Sequence, residues 1–234
     1  MYEELASQGY LVVAIDHPYD ALVVEFPEGD AAYMANSSGD LDTVLEFLDT
    51  RVADAKFVVK QLTKLPCASS LDLDNIGMFG HSLGGATSAG AMAGKNSLVK
   101  AGINLDGSIF GPLNNTDVKG PFLLVGTTDH NSARNETSWK SFKKAQNGWV
   151  KEVTFKGFTH ATFSDMATDV ELLGLERLFP PGDLEKELGS VKPKRGRQLV
   201  AAYVDDFFGW ALKGGKGNLL KGPSKQYPEV KFVV

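Results

Sequence analysis

A serine, either of two aspartates and a histidine have the types and order needed for acyl-transfer chemistry. Ser82 stands in Gly80-His81-Ser82-Leu83-Gly84-Gly85, the two acid candidates are Asp106 in Asn104-Leu105-Asp106-Gly107-Ser108 and Asp129 further on, and His160 stands in Gly157-Phe158-Thr159-His160-Ala161-Thr162-Phe163-Ser164-Asp165. A serine hydroxyl is a poor nucleophile until an imidazole takes its proton. The imidazole works best when a carboxylate fixes its tautomer and stabilises its cation. Around Ser82, the apolar run Ile76-Gly77-Met78-Phe79 leads in and the small-residue run Ala86-Thr87-Ser88-Ala89-Gly90-Ala91-Met92-Ala93 leads out. That is the strand, sharp turn and helix of a nucleophile elbow. Such a turn needs glycine wherever a Cβ would collide, and Gly80, Gly84 and Gly85 are read as those positions. The turn lifts the Ser82 hydroxyl out of the sheet, points the positive end of the next helix at it, and offers the Leu83 amide to a developing oxyanion.

Where an elbow of this kind is used, the acid and then the histidine follow the serine in the chain. Of the four histidines, His17 and His81 precede Ser82, which leaves His130 and His160. His160 follows the last strand candidate, in a loop opening into a helix, where the base of such a site is carried. Two aspartates compete for the acid. Asp106 ends the strand after the elbow helix, and Asp129 ends the next one, in Gly126-Thr127-Thr128-Asp129-His130. Strand order by itself leaves both open.

These groups must be held by a sheet, and the chain has the pattern for one. Residues 2–9 read as a helix stopped by glycine, and Tyr10-Leu11-Val12-Val13-Ala14-Ile15 as a strand buried on both faces. Residues 23–30, broken by Pro27 and Gly29, read as a loop. Apolar residues recur at three- and four-residue steps from Leu41 to Leu62, which predicts a long amphipathic helix over 40–64. Strands are expected at 76–79, 101–105, 121–125 and 150–155, with a helix at 137–145 and a last helix at 198–212. Alternating strands and helices imply a mostly parallel sheet with helices on both faces and functional groups after the strands' carboxyl ends.

With 234 residues, 43% of them hydrophobic and 23% charged, the chain is sized for one α/β domain spanning 1–234. A net charge of -5 and a pI near 5.4 provide no field to hold nucleic acid. No apolar run is long enough for a transmembrane segment, and the acidic start Met1-Tyr2-Glu3-Glu4-Leu5 is unlike a signal peptide. The lone Cys67 has no partner for an internal disulfide and reads as a buried or half-buried filler. Sequons at Asn36, Asn114 and Asn135 lean toward secretion, with the cytoplasm as the alternative. The basic stretch Lys192-Pro193-Lys194-Arg195-Gly196-Arg197 reads as a solvated loop ahead of the last helix.

Along nearly its whole length the sequence resembles the platelet-activating factor acetylhydrolases of the α/β-hydrolase superfamily, the plasma-type enzymes and their fungal and bacterial relatives. The likeness is carried by the Ser82 elbow, Arg51-Val52-x-Asp54 read as a helix start, Gly102-Ile103-Asn104-Leu105-Asp106-Gly107, His160-x-x-Phe163-Ser164-Asp165 and Tyr227-Pro228-Glu229-Val230. The resemblance implies an α/β-hydrolase fold with the acid at Asp106 and the base at His160. It also implies several strands ahead of the region where this sequence starts, so a fold truncated at its N-terminus is expected. A loop among those strands would normally give the second oxyanion amide. The expected activity is that of a serine esterase acting on a short-acyl ester or lipid substrate, with no cofactor and no metal. Two further readings are a hydrolase-fold protein that binds a small molecule or partner with little catalysis, as a homodimer through an exposed sheet edge, and an acyltransferase using the same serine.

Overall fold

The computed structural model describes residues 1–35 and 38–233, so the sequon at Asn36 lies outside the described residues. The helices are α1 (Tyr2–Ser7), α2 (Leu41–Gln61), α3 (Leu83–Met92), α4 (Thr137–Ala145), α5 (Met166–Leu173), α6 (Asp183–Leu188) and α7 (Pro193–Lys213). The strands are β1 (Val23–Glu25), β2 (Ala31–Tyr33), β3 (Ile76–His81), β4 (Val99–Leu105), β5 (Phe122–Thr127), β6 (Val150–Phe155) and β7 (Val230–Phe232).

Strands β3 to β7 form one sheet in sequence order, parallel from β3 to β6 and closed at one edge by the antiparallel β7. Because side chains alternate across a strand, β4 and β5 each feed two cores. Ala101, Ile103, Leu105, Leu123 and Val125 meet Leu199, Tyr203, Val204 and Phe207 of α7 on one face. Val99, Phe122 and Leu124 meet Ala55 of α2, Ala89 and Met92 of α3, and Trp139 and Phe142 of α4 on the other. With both faces covered, these strands are buried nearly throughout rather than alternating between buried and exposed, the exception being Lys100 near the start of β4. No helix among the described residues is long and apolar enough to cross a membrane.

Several expectations are corrected. Residues 10–15 are not a strand. They run extended with Leu11 55% and Val13 44% exposed, and residues 11–16 make no backbone hydrogen bond among the described residues. A run of β-formers becomes a strand only when a neighbour takes its amides and carbonyls, and β3, at one edge of the sheet, pairs with β4 alone. Residues 23–30, read as a loop, contribute β1 to a short antiparallel hairpin with β2, in which Val23 pairs with Tyr33. The basic stretch is not a loop, because Pro193 occupies the first turn of α7, where its fixed φ suits a helix start. There Arg195 makes a two-pronged ion pair with Glu229 at 2.8 and 2.9 Å. Arg51 and Asp54 lie midway along α2 rather than at its start, and they fasten Asp20 and His17 to that helix. Cys67 is exposed. Of the other sequons, Asn135 is exposed, whereas the Asn114 side-chain oxygen is enclosed.

Candidate active site

The strand register sets two of the candidate side chains next to each other. His81 pairs with Leu105, so the residues that follow them, Ser82 and Asp106, leave adjacent strands at the same level. Each amide extends the ladder one residue past its strand, Ser82 N–H to the Leu105 carbonyl at 2.9 Å and Asp106 N–H to the Val125 carbonyl at 2.7 Å. Both residues have φ of 57°, a left-handed conformation that non-glycine residues adopt only where surrounding structure imposes it. Around Ser82, a Cβ on Gly80 would strike the Gly84 backbone and a Cβ on Gly85 would strike the Asn104 side chain. Gly84 itself faces open space, so its own Cβ was not the constraint that the sequence suggested. Asn104 in turn clasps Gly107, accepting from its amide and donating to its carbonyl at 2.7 Å each.

His160 arrives from the loop after β6, on a single 3-10 turn over His160–Phe163. A reciprocal cap between Thr159 and Thr162 starts that turn, and the Thr162 hydroxyl donates to the Leu188 carbonyl of α6 at 2.8 Å. The imidazole then spans the two strand ends. Its Nδ1 lies 2.7 Å from Asp106 Oδ2 and its Nε2 lies 3.0 Å from Ser82 Oγ. With the Nδ1 proton donated to the carboxylate, Nε2 is left to accept the hydroxyl proton. Burial pushes the Asp106 carboxyl up, but hydrogen bonds and positive charge from His130 and His160 outweigh it and hold it below the usual range. Leu83 is the first residue of α3, and the first amides of a helix have no intrahelical acceptor.

Asp129 is not brought to the site, since its side chain is 84% exposed and pairs with Arg134 at 2.5 Å. His130 does come to it, from the side away from the serine. Its Nδ1 is 2.8 Å from Asp106 Oδ1 and its Nε2 is 2.7 Å from Glu136 Oε2. Hydrogen bonds to Asp106 and then Glu136 raise its pKa to about 9 against the opposing effect of burial. Glu136 caps α4 and also accepts from the hydroxyls of Ser108 and Ser138. Burial pushes its carboxyl up, but the hydrogen bond from His130 first, and then those from Ser108 and Ser138, hold it down at about 2. His81, at the end of β3, packs its ring against His160 with centroids 4.4 Å apart. Burial first, and the His160 charge second, push its pKa down to about 4, so it is neutral at pH 7. Neither His130 nor Glu136 stood out in the sequence as a partner of Asp106. The only signal available was a histidine at the end of the strand next to that of Asp106. A cleft of about 360 Å³ between α1 and α7, lined by residues including Glu4, Leu5, Arg195 and Tyr227, contains none of these groups.

Residues 43–178, more than half of the chain, match the family model described as "Platelet-activating factor acetylhydrolase, isoform II". The chain belongs to this family. Ser82, Asp106 and His160 all fall within the matched residues of the acetylhydrolase family. The chain is 34% identical over 242 residues to a "Probable 1-alkyl-2-acetylglycerophosphocholine esterase" of Arthroderma benhamiae, covering 99% of this chain and 61% of that protein. It thus spans about three fifths of the length of that curated relative. Among solved structures it is similar to a ferulic acid esterase from Streptomyces cinnamoneus, with a TM-score of 0.85 and 34% identity over 99% of this chain and 68% of the other. The fold of this acetylhydrolase family member is accordingly that of the α/β hydrolases, mostly parallel in its sheet with helices on both faces.

Proposed function

We propose that this chain is a serine ester hydrolase that cleaves a short-acyl ester through an acyl-serine intermediate. The observation that carries the reading is the unbroken chain of contacts Ser82 Oγ, His160 and Asp106, at 3.0 and 2.7 Å, on an elbow with φ of 57° at the serine. In acylation, Ser82 Oγ attacks the ester carbonyl while His160 Nε2 takes its proton. Asp106 keeps the imidazole in the tautomer that can accept at Nε2 and stabilises the cation formed. The oxyanion that develops on the carbonyl meets the Leu83 amide at the positive end of α3. His160 then gives its proton to the departing alkoxide, and the alcohol leaves. Water, deprotonated by the same nitrogen, releases the acid and restores Ser82. Exposure of 54% for the His160 side chain leaves the reacting edge open to an incoming ester. The activities named for the two similar proteins, on an acetylglycerophosphocholine and a ferulic acid ester, favour an ester substrate and leave its alcohol side undefined.

The test is hydrolysis of p-nitrophenyl acetate together with labelling by a fluorophosphonate. Ser82→Ala is expected to abolish labelling and to lower kcat by at least about 10³-fold, and His160→Ala to do the same, the range seen when a member of such a triad is removed. A Ser82→Ala protein that hydrolyses the ester at the original rate would overturn the proposal. Release of acetate with water as the sole acceptor separates hydrolysis from acyl transfer.

A further inference from the structure

The Asp106 carboxylate is gripped on both oxygens by imidazoles, and only one of them faces the serine. Oδ2 accepts from His160 and Oδ1 accepts from His130, at 2.7 and 2.8 Å. The far side of His130 meets a second carboxylate, that of Glu136, at 2.7 Å. Asp106 and Glu136 are both held below the usual carboxyl range and so are ionised, and an ionised carboxylate can only accept, so a ring lying between the two donates from both nitrogens and carries a positive charge. Glu136 is itself fixed. It is 8% exposed, receives the Ser108 hydroxyl at 2.6 Å and the Ser138 amide at 2.9 Å, and caps α4. The Trp139 ring beside His130, with centroids 5.2 Å apart, donates its Nε1 proton to the Gly107 carbonyl at 2.7 Å. The loop carrying Asp106 is therefore tied to the start of α4 through His130, Ser108 and Gly107.

We propose that His130 and Glu136 are a positioning pair for the Ser82 site, with the His130 cation holding Asp106 in line with His160 and Glu136 holding His130. The inference rests on the serine hydrolase reading given above. Its physical content has two parts. A carboxylate held at one oxygen can turn about its Cβ–Cγ bond, whereas one held at both is fixed in plane, which keeps Oδ2 on the Nδ1 proton of His160. The second part is electrostatic. Two anions, Asp106 after β4 and Glu136 at the start of α4, face one cation between them, while neutral His81 from β3 is the other titratable ring against His160. Removing the His130 charge leaves a surplus of negative charge beside Asp106, which favours the protonated form of His160.

The experiment compares wild type, Ser82→Ala, His130→Phe and His130→Gln with p-nitrophenyl acetate across pH. Phenylalanine keeps a flat ring and removes both donors, whereas glutamine keeps one donor and loses the charge. His130→Phe is expected to lower kcat about 10- to 100-fold, the range that partners behind a reacting group command, with KM little changed. His130→Gln is expected to recover most of that loss. In both, the acid limb of kcat/KM, which reports His160 losing its proton, moves to higher pH. A residue that merely supports the fold would change the amount of active protein and leave the limb where it was. Wild-type turnover that Ser82→Ala abolishes, with His130→Phe matching wild type in kcat and in that limb, overturns the positioning pair alone. Failure of wild type to turn over or to be labelled overturns the hydrolase reading and the inference with it. Should His130→Phe not fold, ¹⁵N imidazole spectra of wild type decide. Two protonated nitrogens on His130 at pH 7 are expected, and one unprotonated nitrogen refutes the pair.

Discussion

Ser82 and Asp106 share a positive φ that costs free energy in a residue with a side chain, and both lie where two strands end side by side. Two rings beside them, His130 on Asp106 and His81 against His160, change protonation with pH, so stability should depend on pH in two opposing ways. His130 is raised to about 9 from an unfolded value near 6.5. Its contribution is complete below the unfolded value and is lost as pH rises from there through about 9. His81 is lowered to about 4, so its contribution is complete above the unfolded value and is lost as pH falls toward 4. Thermal melts of wild type between pH 5 and 9 are expected to fall off on both sides. His130→Gln should flatten the alkaline side. His81→Phe, which replaces a buried Nε2 lacking a protein partner with an apolar ring, should flatten the acid side.

At the scale of elements, the crossing of α3 over β3 and β4 is what the elbow demands of the chain. The helix starts where two glycines admit a close approach. Gly80 makes room for the Gly84 backbone, and Gly85 makes room for Asn104, whose side chain also clasps Gly107. Gly84 sits in the same helix facing open space. Two substitutions that look alike in the sequence should therefore differ in sign. Gly85→Ala is expected to destabilise by about 1–3 kcal/mol, the usual result of overpacking. Gly84→Ala should be neutral or stabilise by about 0.5–1 kcal/mol, because alanine loses less conformational freedom in a helix. Urea denaturation midpoints compared at unchanged m-value measure the difference.

Over the whole molecule, order is set by which strands have neighbours. β4 and β5 are paired on both edges and covered on both faces, and Phe122, Leu123 and Leu124 are fully buried. Residues 11–15 are as apolar as a central strand, yet the backbone groups of 11–16 have no partner among the described residues. Hydrogen exchange is expected to be fastest at 11–16 and slowest at 122–125, since protection follows hydrogen bonding and burial. Protection at 11–16 equal to that of β5 would contradict an unpaired 11–16 segment.

The sequence by itself determined the elbow, the long α2 and the parallel run of strands, because glycine placement and apolar periodicity act over a few residues and can be read within a few. It also ordered the serine before the acid and the base. The choice between Asp106 and Asp129 as the partner of His160 could not be read from strand ends, and a family resemblance had to favour one. Tertiary structure separates them by register, placing Asp106 level with Ser82 and leaving Asp129 on the surface with Arg134. The His130 and Glu136 contacts were likewise invisible, since they join groups 24 and 6 residues apart through a fold that no local pattern encodes. Residues 10–15 show the same limit from the other side. Propensity can make a segment fit for a strand, but only a neighbour supplies the hydrogen bonds that make it one.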